Sequence, residues 1–500
     1  MNTDEHGWLS RTDEIRGLDM NGIDGEDRAG GRPFAKIICV HLCSSVAPIA
    51  LLAACAVGPN YQKPAAEIPP AYKEAGDWVV AKPADAAPKG KWWEAFRDPA
   101  LNALEEQVSV SNQSLKAAEA RYAQATAAVR SARAQLFPTV GANASATRSR
   151  VGTGDAGTGG RRYNVSLSAS WEPDLWGRVR RLVESNRAAA EASAADVEGA
   201  RLSLQAELAT DYFQLRATDA QLVLFEDTIK AFQTSYTLTQ NRYRAGVAAK
   251  ADVVQSETQL KSTQAQAIDL RSTRAQLEHA IAVLVGRPPA GFSIAAANIE
   301  THVADVPPGI PSTLLERRPD IGAAERRMAA ANARIGVAEA AYFPSLSLTG
   351  SVGFAGSALA NLLSAPNRIW SLGLAAADTI LDFGARSADV ASARAAYDEA
   401  VANYRQAVLT GLQEVEDDLA ALRWLSEEAS VQQDAARAAR ESVALTLNQY
   451  KAGTVSYLNV VQVQSTQLSE ERSSVSILQR RLAADVALIR ALGGTWEPAT

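Results

Sequence analysis

Leu238-Thr-Gln-Asn-Arg-Tyr-Arg-Ala-Gly246 recurs 207 positions later as Leu445-Thr-Leu-Asn-Gln-Tyr-Lys-Ala-Gly453. The same offset sets Gly177 on Gly384, Ser185 on Ser392, Glu207 on Glu414, Asp211 on Asp418, Arg216 on Arg423 and Gly286 on Gly493. Upstream, Leu115, Ala117, Ala118, Glu119, Arg121 and Pro138 meet Ile321, Ala323, Ala324, Glu325, Arg327 and Pro344 at offset 206. A period this long, spanning nearly the whole ordered chain, marks two fused halves rather than a solenoid of small repeats.

Within each half the helices are read from what is missing. Proline is absent from residues 174–287 and 367–497, so these stretches support very long helices. Arg178 to Arg244 gives 67 residues, about 100 Å at 1.5 Å per residue, and Ala385 to Lys451 matches it. Gly246 and Gly453 supply the positive φ that a helix C-terminus needs. Return helices of some 38 residues then end at Gly286 and Gly493. Asp98 can cap, and Pro99 start, an earlier helix that Phe137-Pro138 stops, with Asn112 as the place where it can break.

Between the helices the period changes from 3.6 to 2. Tyr163-Asn-Val-Ser-Leu-Ser-Ala-Ser-Trp171 and Ser345-Leu-Ser-Leu-Thr-Gly-Ser-Val-Gly-Phe354 alternate apolar with small polar residues. Residues 139–150 and the Trp370, Leu372, Leu374, Ala376 series are their partners, so each half carries one hairpin, 139–171 and 345–378. A tilted strand of about 10 residues can cross a bilayer, although the same alternation also fits a half-buried soluble hairpin. Four strands cannot close a barrel, and an open edge in lipid leaves backbone groups unpaired. Three copies would give twelve strands; two would give eight, filled by side chains.

The chain of 500 residues has a net charge of −6 and no basic cluster suited to nucleic acid. Its cysteines, Cys39, Cys43 and Cys55, suggest neither a disulfide framework nor a zinc site. Arg32 and Lys36, an apolar centre and Leu52-Ala-Ala-Cys55 describe a secretory signal. An uncleaved anchor is the competing reading. Residues 1–31 hold eight acidic residues against three arginines, a poor leader, so either translation starts downstream or the extension is removed. No His, Ser or Cys arrangement forms a catalytic constellation. Gly152-x-Gly154-x-x-Gly157 joins two strands and has no helix to hold a phosphate. Glu414, Glu416, Asp417 and Asp418 read as a solvated helix face.

Taken together, Leu52-Ala-Ala-Cys55, Gly58-Pro-Asn-Tyr61, Trp92-Trp93, Asp98-Pro99, Leu136-Phe-Pro138, Leu315-Glu-Arg-Arg-Pro-Asp320, Phe343-Pro344 and the two Tyr-x-Ala-Gly turns resemble the outer-membrane efflux lipoproteins of the TolC superfamily, of the NodT type. The resemblance covers residues 52–497. It implies an α+β membrane fold in which a homotrimer builds a twelve-stranded outer-membrane β-barrel, four strands per protomer, continuous with a long periplasmic α-helical barrel. It further implies passive export from an inner-membrane RND transporter through a periplasmic adaptor. No cofactor is expected beyond covalent lipid on Cys55. Alternatives are a type I secretion or metal-efflux conduit of the same fold, or a lipid-anchored coiled-coil scaffold without a pore.

The expected organisation is an extension and signal (1–54), an extended segment running along the outside (55–98), a first repeat (99–286), a linker (287–311), a second repeat (312–493) and a tail (494–500). Carried over from the family, the adaptor-contacting tips are Arg244, Ala245, Gly246 and Val247, and Lys451, Ala452, Gly453 and Thr454. The gate candidates are Asp252, Tyr450, Leu458, Asn459 and Gln462. Relatives carry carboxylates where Asn459 and Gln462 stand, and an arginine where Val455 stands. Closure here is therefore expected from Leu458, from neutral amide hydrogen bonds and from a Tyr450 hydroxyl to Asp252 latch. Simple helix capping is the alternative role for Asp252 and Asn459.

Overall fold

In chain order the helices and strands are α1 (Pro99–Ser111), α2 (Gln113–Ala134), β1 (Thr139–Val151), β2 (Thr158–Trp171), α3 (Arg178–Arg244), α4 (Lys250–Leu284), α5 (Pro319–Ala340), β3 (Ser345–Gly356), β4 (Arg368–Ala377), α6 (Ala385–Lys451) and α7 (Tyr457–Ala491). The structure is a computed structural model that describes residues 56–65, 68–75, 90–151, 158–299 and 317–494. The signal segment with Cys55, the hairpin tip 152–157, the later part of the linker and the tail from 495 lie outside the described residues.

Both 67-residue helices have the expected limits. Each is flanked by two shorter helices placed end to end. Asn112 ends α1 and caps α2, accepting from Leu115 N at 3.0 Å while its Nδ2 donates 2.8 Å to Leu284 O, the last residue of α4. A Cβ on Gly286 would lie 2.4 Å from Ser111 O, so only glycine lets these ends meet. The second half repeats the joint: Arg318 Nη1 donates 3.2 Å to Ala491 O, and a Cβ on Gly493 would be 2.7 Å from Arg317 O. Long helices that cannot be stabilised by local propensity alone thus gain lateral burial along their whole length.

The four strands form one antiparallel meander in the order β1-β2-β3-β4, leaving β1 and β4 as edges. Val140, Ala142, Ala144 and Ala146 of β1 face Ala169, Leu167, Val165 and Tyr163 of β2. On the same side β3 places Leu348 and Val352, paired with Leu374 and Trp370 of β4. Several of these apolar side chains are exposed in the protomer. The other side pairs Gly141 with Ser168, Asn143 with Ser166 and Ser145 with Asn164. β2 starts at Thr158, five residues before the alternating run that begins at Tyr163.

The N-terminal segment both meets and corrects expectation. Residues 57–63 run along the outside: Arg181 Nη2 donates 3.0 Å to Gly58 O, Asn332 Nδ2 donates 3.0 Å to Pro59 O, and Lys63 pairs with Glu325 at 2.8 Å. The short 3-10 turn Trp92–Phe96, in contrast, is buried in the main core with Phe213, Leu208 and Ile489. Three aromatic side chains in five residues bury too much apolar area to stay on a surface. The start of the linker is also tied down, because Arg216 Nη1 and Arg274 Nη2 each donate 2.7 Å to carbonyls, of Ala295 and Ile294. Both guanidinium groups converge on buried Asp219. Among the described residues no helix is long and apolar enough to cross a membrane.

Candidate functional site

The two repeated motifs close α3 and α6 with the same backbone turn. In the first, Gly246 N donates 2.9 Å to Tyr243 O and Val247 N donates 2.9 Å to Arg242 O; in the second, Gly453 N donates 3.0 Å to Tyr450 O and Thr454 N donates 3.0 Å to Gln449 O. Gly246 and Gly453 take φ of 77° and 80°. This paired bonding satisfies the carbonyls that end a helix and needs a residue at positive φ. Arg244, Ala245, Gly246, Lys451, Ala452, Gly453 and Thr454 are all exposed, as is Val247.

The side chains are unequal. Tyr450 is only 4 % exposed, whereas its repeat counterpart Tyr243 is 45 % exposed. Tyr450 packs against Tyr457 with ring centroids 5.5 Å apart, in a small core with Val460, Leu238 and Leu447. The guanidinium of Arg242 stacks 4.7 Å from the Tyr450 ring, and its Nη1 donates 2.8 Å to Tyr450 O. One side chain of the first tip thereby holds both ring and backbone of the second. The Tyr450 hydroxyl lies 3.5 Å from Thr239 Oγ1, a second residue of α3.

Within the protomer this replaces the expected latch. Asp252 makes no side-chain hydrogen bond to Tyr450; its charge is felt by Tyr457 instead. Burial pushes the Tyr457 phenol up to about 12, with Tyr450 and Asp252 adding to the shift and a Ser235 hydrogen bond opposing it. Asp252 occupies the first turn of α4, where a carboxylate suits the helix dipole. Asn459 is no cap either: its Oδ1 accepts from Ser456 Oγ at 3.4 Å. Leu458 (54 % exposed), Asn459 and Gln462 share one open face of α7, opposite the buried Tyr457, Val460 and Gln464. That face carries no charge, so it offers a hydrophobic and amide surface where carboxylates would set up a cation-attracting field.

Sequence reasoning missed Arg242, Thr239 and Ser235. The missing signal lay in the repeat itself, where Arg242 meets Gln449 in otherwise similar motifs. The acidic run is partly paired: Glu414 bonds Arg318 at 2.6 Å, and Glu416 accepts from the backbone N of Lys73 and Glu74. Among the described residues no group of three or more His, Cys, Asp and Glu could hold a metal ion.

The family model described as outer membrane efflux protein matches residues 104–287 and 310–494, following the duplication. The chain belongs to the outer membrane efflux protein family. It is 32% identical over 458 residues to the probable efflux pump outer membrane protein TtgC of Pseudomonas putida KT2440, covering 90% of this chain and 94% of that one. Nodulation protein T of Rhizobium leguminosarum bv. trifolii is 31% identical over 460 residues, covering 90% and 96%. The solved outer-membrane channel OprN superposes with a TM-score of 0.79 at 32% identity, covering 89% of this chain and all of that one. As a NodT-type outer-membrane efflux protein of the TolC superfamily, the chain places its sheet in the outer membrane and extends its helices into the periplasm.

Proposed function

We propose that three copies pool their sheets into a closed twelve-stranded barrel and their helices into a periplasmic tube, forming the outer-membrane channel of a tripartite efflux pump. The observation that carries this reading is the four-stranded sheet with two unpaired edges and an exposed apolar face. Such a sheet can enter lipid only after its edges pair with other copies. Twelve strands give a wider bore than eight.

In this assembly the tips, residues 244–247 and 451–454, meet a periplasmic adaptor, and an RND-type inner-membrane transporter supplies the substrate. The open face of Leu458, Asn459 and Gln462 closes the bore by apolar and amide contacts. Cys55 carries lipid, which assists anchoring while the barrel holds the protein in place. Conductance of the purified full chain in planar bilayers, with chemical cross-linking, tests the whole reading: a cross-linked trimer with discrete conductance steps is expected, and a monomer without conductance overturns it. Cys55→Ser is expected to leave most of the protein in the outer membrane.

A further inference from the structure

The membrane sheet ends in arginine on its outer side. Segment 139–171 holds Arg148, Arg150, Arg161 and Arg162 against a single acid, Asp155, and β4 begins with Arg368. Register sorts them by face. The apolar series of β1, from Val140 to Ala146, continues into Arg148, which pairs directly with Arg161 at the end of the apolar series of β2. Arg368 pairs with Phe354 on that same face, whereas Arg162 pairs with Thr147 on the polar face.

Arg148 and Arg161 are exposed, and neither has an acidic partner among the described residues. Like charges directly across an antiparallel pair repel, and nothing in the fold requires them there. Their height explains them. Val140 to Arg148 spans about 26 Å along the strand, about the length a tilted strand needs to cross the apolar layer. Tyr163 and Trp370 lie just below the arginines, where an aromatic girdle marks the interface.

We infer that Arg148 and Arg161, on the lipid-facing side of the outer rim, form a binding surface for the phosphate groups of lipid A in the outer leaflet. This rests on the barrel reading above, because only an inserted sheet presents that face to the leaflet. Two guanidinium groups held side by side match a phosphate in geometry and charge, and the anion removes the repulsion that the register imposes. Closing the ring brings the Arg368 end of one sheet beside the Arg148 end of the next, so each trimer carries three such surfaces.

The test uses the purified full-length trimer and three probes in matched detergent micelles: bisphosphorylated lipid A, dephosphorylated lipid A and phosphatidylglycerol. Bisphosphorylated lipid A is expected to bind about tenfold more tightly than either other probe, and Arg148→Gln/Arg161→Gln to abolish that preference. Arg148→Lys/Arg161→Lys should keep part of it, and Arg162→Gln, on the polar face, all of it. Equal binding of the three lipids, or a preference that survives the double glutamine variant, overturns the inference. Conductance of every variant is measured in parallel. A variant that conducts but has lost the preference separates this surface from the barrel, whereas unaltered protein that never conducts counts against the barrel itself. Should the double variant fail to assemble, the three-lipid comparison on unaltered protein decides.

Discussion

The first and second tips share a backbone turn down to the hydrogen bonds, yet only the second buries its tyrosine. Arg242, Tyr243, Lys250, Ala251 and Asp252 stand where the second repeat has Gln449, Tyr450, Tyr457, Leu458 and Asn459. One tip thus supplies the arginine and hydroxyls that hold, and the other supplies the tyrosines that are held. Duplication let backbone shape stay fixed while the two copies divided a contact between them.

The largest expected effect removes the held residue. Tyr450→Ala should lower the opening free energy of the first turns of α7 by about 3 kcal/mol, read as faster amide hydrogen exchange there. Tyr243→Ala at the equivalent exposed position should stay within about 0.5 kcal/mol. Similar losses at both positions would break the distinction between the tips.

Next comes the holder. Arg242→Gln, which gives the first tip the residue of the second, removes a charge-assisted hydrogen bond and a ring contact, a loss of about 1 to 2 kcal/mol by the same exchange measurement. It should also raise the fraction of time the channel conducts. Unchanged exchange around Tyr450 would show that Thr239 and packing suffice.

Backbone changes should not discriminate at all. Gly246→Ala and Gly453→Ala each force a side chain into positive φ, costing about 1 kcal/mol with little steric obstruction at either place. Thermal melts giving unequal shifts would mean that the turns differ in more than side chains.

The smallest expected effect concerns a second pair of repeat counterparts. Burial pushes Asp418 up to about 7, with Glu414 and Asp417 adding and Arg490 and Arg318 opposing, whereas Asp211 rises to about 6 through burial and then Glu207. A carboxyl raised in the folded state favours folding while both states are protonated. That advantage is lost as pH climbs from the ordinary carboxylate range through the folded value. Asp418→Asn should therefore raise the melting temperature at pH 8 and leave it unchanged near pH 4, with Asp211→Asn giving a smaller gain. Equal gains, or a gain present only in acid, would contradict the assignment.

Much of this architecture was legible in the sequence because its signals are local. The absence of proline and the placement of glycine fixed the limits of α3 and α6, and strict alternation revealed β2 and β3. Trp92, Trp93 and Phe96 were misread as surface because their partner Phe213 lies more than a hundred positions away in sequence. The grip of Arg242 on Tyr450 was hidden for the same reason, being a contact across 208 positions. The outer arginines escaped notice because two strands share them, and register alone puts Arg148 beside Arg161.

The unbroken length of α3 and α6 has a mechanical consequence. A rod of about 100 Å pivoting by about 5° at its membrane end sweeps its far end through about 9 Å, nearly the diameter of a helix. Angular play too small to disturb the packing of the sheet is thereby amplified, at the tips, into a displacement as large as a whole structural element. The leverage comes from chain length itself.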